Sequence, residues 1–288
     1  MLSGAASTAE RQRWLGWPDR PDYRSGQPSR EQAFYLPFYE PNDPHSTHRT
    51  LGALREILDE HPGAIAACLF ELVQGEAGFR MAPREFFIPL METLTERGIA
   101  VWVDEIQTFG RTGELFAFQR LDPAEYVDVV TVGKLLQNSA VLFWAEYRPD
   151  PGLISGTFAG STVGLAVGRR IVEKLVHEQY CGRDGKLSLL EQHVTASLTR
   201  LQAELPGLIR TYEGLGAMWA LEPVQASHES VKNLLHECYR NGLILFYAGA
   251  DKGPYRVRMF LPGGVLTLEE FDEALNILRF SLTRLTSA

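Results

Sequence analysis

The chain has 288 residues, room for one large or two ordinary domains. Its 45% hydrophobic and 22% charged content suits a soluble globular protein and excludes a chain too polar to fold. A net charge of −8 argues against a phosphate-neutralising nucleic-acid surface, and the longest purely apolar run, residues 64–70, is too short to span a bilayer.

Residues 1–50 are rich in Pro, Arg, Asp and Ser, with aromatics at Trp14, Trp17, Tyr23, Phe34, Tyr35, Phe38 and Tyr39. That mixture predicts a loop packed on other elements, with a short strand over residues 32–39 limited by Pro37. His45 and His48 lack a third ligand nearby and are expected in a polar loop; no metal is expected anywhere.

Apolar residues at helical spacing predict a helix over 51–61, ended by Pro62 and Gly63. A buried strand follows at 64–70, with Glu71 at its end. Residues 84–97 are helical through Phe86, Phe87, Leu90, Met91 and Leu94, and Gly98 is the stop. Residues 99–103 form a strand buried on both faces, and Asp104 and Glu105 sit at its carboxyl end. Residues 126–132 form a second such strand, leading to Gly133 and Lys134. The β-α-β order predicts a parallel sheet, in which ligands meet the carboxyl ends of the strands.

Lys134 follows Asp104 by thirty residues, which fits a strand, a crossover and a strand. An amine and a carboxylate facing one crevice suit pyridoxal 5'-phosphate (PLP). The lysine forms a Schiff base and the acid keeps the pyridine nitrogen protonated.

Further on, residues 140–147 are expected to form a strand. Helices are expected at 161–179 and 186–205, a strand at 211–222, a helix at 230–241, strands at 243–247 and 255–260, and a closing helix at 267–285. Thr267 and Glu270 form a capping box. The domain expectation is a partial PLP-binding large domain at 1–160, then a linking helix and small domain at 161–288. Three cysteines, far apart and odd in number, suggest free thiols and a cytoplasmic compartment, and the N-terminus shows no signal-peptide core.

Three stretches together resemble the class III (ω-type) PLP-dependent aminotransferases. Asp104-Glu-Ile-Gln107 with Gly110-Arg-Thr-Gly113 is similar to the family signature. Glu71-Leu-Val-Gln-Gly-Glu-Ala-Gly78 is similar to its Glu-Pro-x-Gln-Gly-Glu-x-Gly block, with Leu72 in place of proline. Gly156-Thr-Phe-Ala-Gly-Ser161 is similar to its phosphate-side segment, with Ser161 where asparagine is common. Residues 135–139 depart from the glycine-rich stretch that usually follows the lysine.

The resemblance implies an α/β fold: PLP-dependent transferase fold type I, a parallel-rich sheet flanked by helices, plus a small α+β C-terminal domain. It implies that Lys134 and Asp104 are catalytic, that Gln107 contacts the cofactor's phenolic oxygen, and that Thr157 binds its phosphate from the neighbouring subunit of a homodimer. It also implies that Arg258 binds the substrate carboxylate and that Glu76 covers Arg258 when an ω-amine is bound. Arg256 lies on the same side of the strand, but Arg258 is nearer the matching Phe-Leu-Pro. Glu105 is expected to support the turn, and Glu71 stays open between a supporting and a structural role.

The implied reaction transfers an amino group from an amino acid or ω-amine to a 2-oxo acid. A mutase, racemase or decarboxylase on the same fold is the alternative. So is an inactive dimerising homologue, because the family's N-terminal phosphate loop and stacking aromatic find no match here; Ser3-Gly-Ala-Ala-Ser7 lacks a preceding strand.

Overall fold

The computed structural model describes residues 34–151, 160–249 and 254–286. They divide into two compact units whose segments interleave along the chain. The first takes residues up to Val73, then Met81–Phe109 and Ala117–Val172; the second takes Gln74–Arg80, Gly110–Phe116 and the chain from Glu173 onward.

The first unit is built on a four-stranded sheet of β1 (Ala67–Phe70), β4 (Ala100–Glu105), β5 (Val129–Val132) and β6 (Ala140–Phe143), in the order β1-β4-β5-β6. The β1–β4 and β4–β5 pairs are parallel, as the buried apolar runs predict. Strand β6 is antiparallel to β5 at the edge, and its four residues are exposed. An apolar run identifies a strand there but carries no direction, and the strand expected over 140–147 ends at Phe143, with a 3-10 turn over Ala145–Tyr147. In β4, Val101 and Val103 are fully buried, and the strand extends through both acids.

Helices α1 (Ser46–Glu60) and α2 (Arg84–Glu96) belong to this unit. The first begins five residues before its expected start. Ser46 is buried and accepts the Glu40 N–H at 2.8 Å, which draws polar residues into the first turn. His45 therefore caps a helix and His48 lies within it, so the expected polar loop is corrected. Helix α2 buries Phe86, Phe87, Leu90, Met91 and Leu94, each worth about 1.5–3 kcal/mol when fully withdrawn from water. Gly98 ends the turn at φ +67°, where only glycine is free of strain. Of the aromatics before α1, Phe38 and Tyr39 pack as expected, with ring centroids 5.5 and 5.6 Å from Phe86, whereas Trp14, Trp17 and Tyr23 lie outside the described residues. At residues 34–39 the strand reduces to a single bridge at Leu36.

Between β2 (Val73–Gln74) and β3 (Arg80–Met81) lies the turn that carries Glu76. Helix α3 (Ala117–Leu121) follows β4, and α4 (Thr162–His177) follows β6.

The second unit has a four-stranded antiparallel sheet of β7 (Ile209–Leu215), β8 (Met218–Pro223), β9 (Phe246–Ala248) and β10 (Arg256–Phe260), in the order β7-β8-β10-β9. Helices α5 (Lys186–Glu204), α6 (His228–Arg240) and α7 (Leu268–Thr286) share one apolar core with it, through residues such as Leu198, Val231, Leu278 and Met259. The capping box forms: Thr267 N–H donates to Glu270 at 2.8 Å and Glu270 N–H donates to Thr267 at 3.1 Å.

The single strand expected at 211–222 is instead a hairpin. Leu215 pairs with Met218 across Gly216 and Ala217, and Gly216 adopts φ +58°. A positive φ at the first residue of a two-residue turn matches the twist of the flanking strands.

Candidate active site

In the first unit, Asp104 and Lys134 come from adjacent parallel strands. Asp104 is in register with Thr131 and Glu105 with Val132, and Lys134 lies two residues past that last pair. Both functional groups therefore emerge at the carboxyl end of the sheet, where ligand crevices lie. Asp104 is 5% exposed, and its Oδ1 accepts the Ile106 N–H at 2.9 Å, which fixes the carboxylate. Gln107 is buried on the same turn.

Lys134 is exposed and has φ +46°, a left-handed conformation that costs an L-residue roughly 1–2 kcal/mol. It opens a short 3-10 turn, Lys134–Leu136, in place of the glycine-rich stretch absent here. Gly133 before it is tightly backed: a Cβ there would stand 3.3 Å from Ile106 Cγ2 and 3.4 Å from Ser139 Oγ. The turn after Asp104 thus abuts the backbone that launches Lys134.

These residues fit PLP at two of its ends. A lysine amine can meet the aldehyde carbon, and a buried carboxylate can meet the ring nitrogen. Thr131, paired with Asp104, adds a buried Oγ1 that has no hydrogen-bond partner among the described residues, a hydroxyl that a polar ligand could satisfy. Thr157 lies outside the described residues.

Glu105 is a residue whose weight exceeds its adjacency to Asp104. It is fully buried, accepts the Phe118 N–H at 3.0 Å and bonds the Thr108 hydroxyl, so it ties the Asp104–Gln107 turn to α3. Burial raises its pKa to about 6, against the lowering effect of these hydrogen bonds. An acid with a raised folded pKa favours the folded state most below its unfolded pKa and loses that contribution as pH rises through the folded value. The wild-type chain should lose about 2 kcal/mol between pH 4.5 and pH 7 relative to Glu105→Gln, as read from urea unfolding at each pH.

Glu76 and Arg258 meet in the second unit. Arg258 Nη1 and Nη2 donate to Glu76 Oε1 and Oε2 at 2.9 and 3.0 Å, a bidentate fork, and Nη1 also donates to the Gly75 carbonyl at 2.9 Å. The Arg258 side chain is 8% exposed and its guanidinium lies 5.4 Å from the Phe260 ring centroid, whereas Glu76 is 50% exposed. A buried, planar cation held by an accessible carboxylate can exchange that carboxylate for another. Glu71, at 8% exposure, follows β1.

Comparison with known proteins fits this geometry. The family described as Aminotransferase class-III matches residues 23–282. The acetylornithine aminotransferase of Myxococcus xanthus is 32% identical over 252 residues, covering 84% of this chain and 59% of that protein. The 5-aminovalerate aminotransferase of Pseudomonas putida is 32% identical, covering 69% of this chain and 48% of that protein. The chain therefore spans about half to three fifths of the length of these curated relatives. Among solved structures, the lysine aminotransferase of M. tuberculosis in its internal aldimine form superposes with a TM-score of 0.79 at 22% identity, covering 92% of this chain and 61% of that one. That likeness supports the fold expected from the sequence, a PLP-dependent transferase fold with helices around a largely parallel sheet. The match over residues 23–282 and the relatives' identity place this chain in the class III aminotransferases, a PLP-dependent family.

Proposed function

We propose that the chain carries out PLP-dependent transamination, moving an amino group from an amino acid or ω-amine to a 2-oxo acid. The observation that supports this best is the pairing of Lys134 and Asp104 at neighbouring strand ends. Lys134 would hold PLP at its aldehyde carbon, Asp104 at the ring nitrogen, Gln107 at the phenolic oxygen and Thr157 at the phosphate. PLP, when bound, supplies an electron sink for charge that develops at the substrate α-carbon.

The chain's own groups do the rest. Asp104 keeps a proton on the ring nitrogen through a charge-assisted bond. Lys134 Nζ, once released, takes the α-proton of the amino donor as general base, a role worth roughly 10²–10⁴-fold in rate. Arg258 binds the carboxylate of an α-amino or 2-oxo acid, and Glu76 neutralises Arg258 when the donor presents only an ω-amine.

The free state of Cys68, Cys181 and Cys238 supports a cytoplasmic setting. Among the described residues, no helix is long and apolar enough to cross a membrane. A homodimer is the assembly proposed, on the strength of the sequence resemblance. Its test is sedimentation of the purified protein; a mass of one chain at all concentrations refutes it.

The test of the reaction is direct. PLP added to the purified chain should give a visible absorbance band, and borohydride should then fix the cofactor's mass on the peptide carrying Lys134. A panel of amino donors with 2-oxoglutarate should next release amino acid product. Fixation at another lysine, or no band at saturating PLP, overturns the reading.

A further inference from the structure

Two arginines on one face of β10 grip opposite ends of a single turn. Residues Gly75 to Gly78 form that turn, closed by the Gly78 N–H donating to the Gly75 carbonyl at 3.2 Å. Arg258 holds the Gly75 carbonyl at 2.9 Å and Arg256 holds the Gly78 carbonyl at 3.1 Å. Strand alternation sends Val257 and Met259 into the core and leaves both arginines on the other face.

The two guanidinium groups are held differently. Arg258 has the exposed Glu76 as its carboxylate partner. Arg256 is fixed by Glu213, 2.9 Å from Nη1, and by Glu222, 3.4 Å from Nε. Glu222 is 4% exposed and is itself braced by Arg210 at 3.2 Å. Arg256 therefore has a built-in counter-charge and does not need the turn for neutralisation. Gly78 leaves it room: a Cβ there would stand 2.8 Å from Arg256 Cδ, at φ +89°.

We propose that Arg256 is a positioning residue that keeps the Gly75–Gly78 turn docked while Glu76 leaves Arg258, and so sets the balance between carboxylate and ω-amine substrates. With Gly78 held, only the Glu76 side chain swings, and its return to Arg258 stays an intramolecular step of high effective concentration. Without the hold, the turn keeps only the Gly75 carbonyl's bond to Arg258 and the Gly249 N–H on the Glu76 carbonyl at 3.3 Å, and its Gly78 end loosens with the side chain. Glu76 then competes less well for Arg258, and a substrate carboxylate binds more tightly. This inference rests on the reading of Arg258 as the carboxylate site.

The probe is glutarate, a dicarboxylate without a reacting group, titrated calorimetrically into the full chain. Arg256→Gln should tighten glutarate about 3- to 10-fold, the range expected for one hydrogen bond's hold on the competing group. Simple loss of a nearby positive charge predicts the opposite sign. Gly78→Ala keeps every charge but crowds Arg256 from the turn, and should tighten glutarate as well. In a Glu76→Gln background neither change should add further tightening. Amide exchange at Gly78 should quicken about tenfold in Arg256→Gln while β8 and β10 amides keep their protection.

In turnover, the KM for a 2-oxo dicarboxylate should fall and that for an ω-amine donor should rise. If wild-type chain binds no glutarate, the carboxylate-site reading fails and takes this inference with it. If wild type binds it but Arg256→Gln leaves binding unchanged or weaker, or Gly78 exchange does not change, the positioning role alone is overturned.

Discussion

Lys134→Gly is expected to give a chain that is more stable than Lys134→Ala yet equally unable to retain PLP after borohydride treatment. The reason is local. Lys134 sits at φ +46°, where a Cβ crowds the backbone and glycine does not. Relief of that crowding, less the extra chain entropy glycine loses on folding, leaves about 1 kcal/mol in favour of glycine over alanine. Urea unfolding of the two variants measures the difference. Both lose the amine, so the proposed transamination should drop by at least roughly 10²–10⁴-fold, the share of the proton transfer alone. An exposed lysine on ordinary negative-φ backbone, with no part in the chemistry, would show neither effect. Equal stability of the two variants would mean that the strained launch of this side chain is not a feature of the folded protein.

The second large effect is expected at Gly216. A Cβ there would fall 2.1 Å from the Arg111 carbonyl oxygen and within 2.9 Å of two further backbone atoms. Backbone cannot swing aside as a flexible side chain can. The neighbouring Ala217 N–H donates to the same carbonyl at 2.8 Å, and Gly216 N–H donates to Glu191 at 2.8 Å, so the turn is held from both sides. Gly216→Ala should therefore destabilise the second unit by about 3 kcal/mol or more, combining positive-φ strain with the displaced contacts. Gly207→Ala is the control. It too has positive φ, but a Cβ there meets nothing within 4 Å, so it should cost only about 1 kcal/mol. A thermal melt that ranks the two equally would show that the contact with Arg111 is unimportant.

These cases also show what could be read in advance. The place of Asp104 and Lys134 at strand ends was legible because buried parallel strands are continuous apolar runs, and polar residues at their ends stand out. Helix α2 was legible from its spacing and from Gly98. The hairpin at Leu215–Met218 was not, because an apolar run containing glycines reads as one strand until Gly216 is seen to take a positive φ. The early start of α1 depended on Ser46 finding the Glu40 N–H, a contact no periodicity encodes. Arg256 and Arg258 were visible as a pair on one strand side. Only their partners separate a fork held by an exposed acid from a clamp braced by a buried one. Glu105 carried a weak signal, an acid beside an acid, and its partner Phe118 lies thirteen positions further along the chain.

The interleaving of the two units bears on how such a chain can be recombined. A gene segment beginning at residue 161 would omit Gln74–Arg80 and Gly110–Phe116, which belong with the C-terminal sheet. Its product would carry Arg258 without Glu76 and the Gly216 hairpin without the Arg111 carbonyl. Neither unit can be traded between homologues by a single crossover; grafting one means transplanting three separate stretches of chain at once.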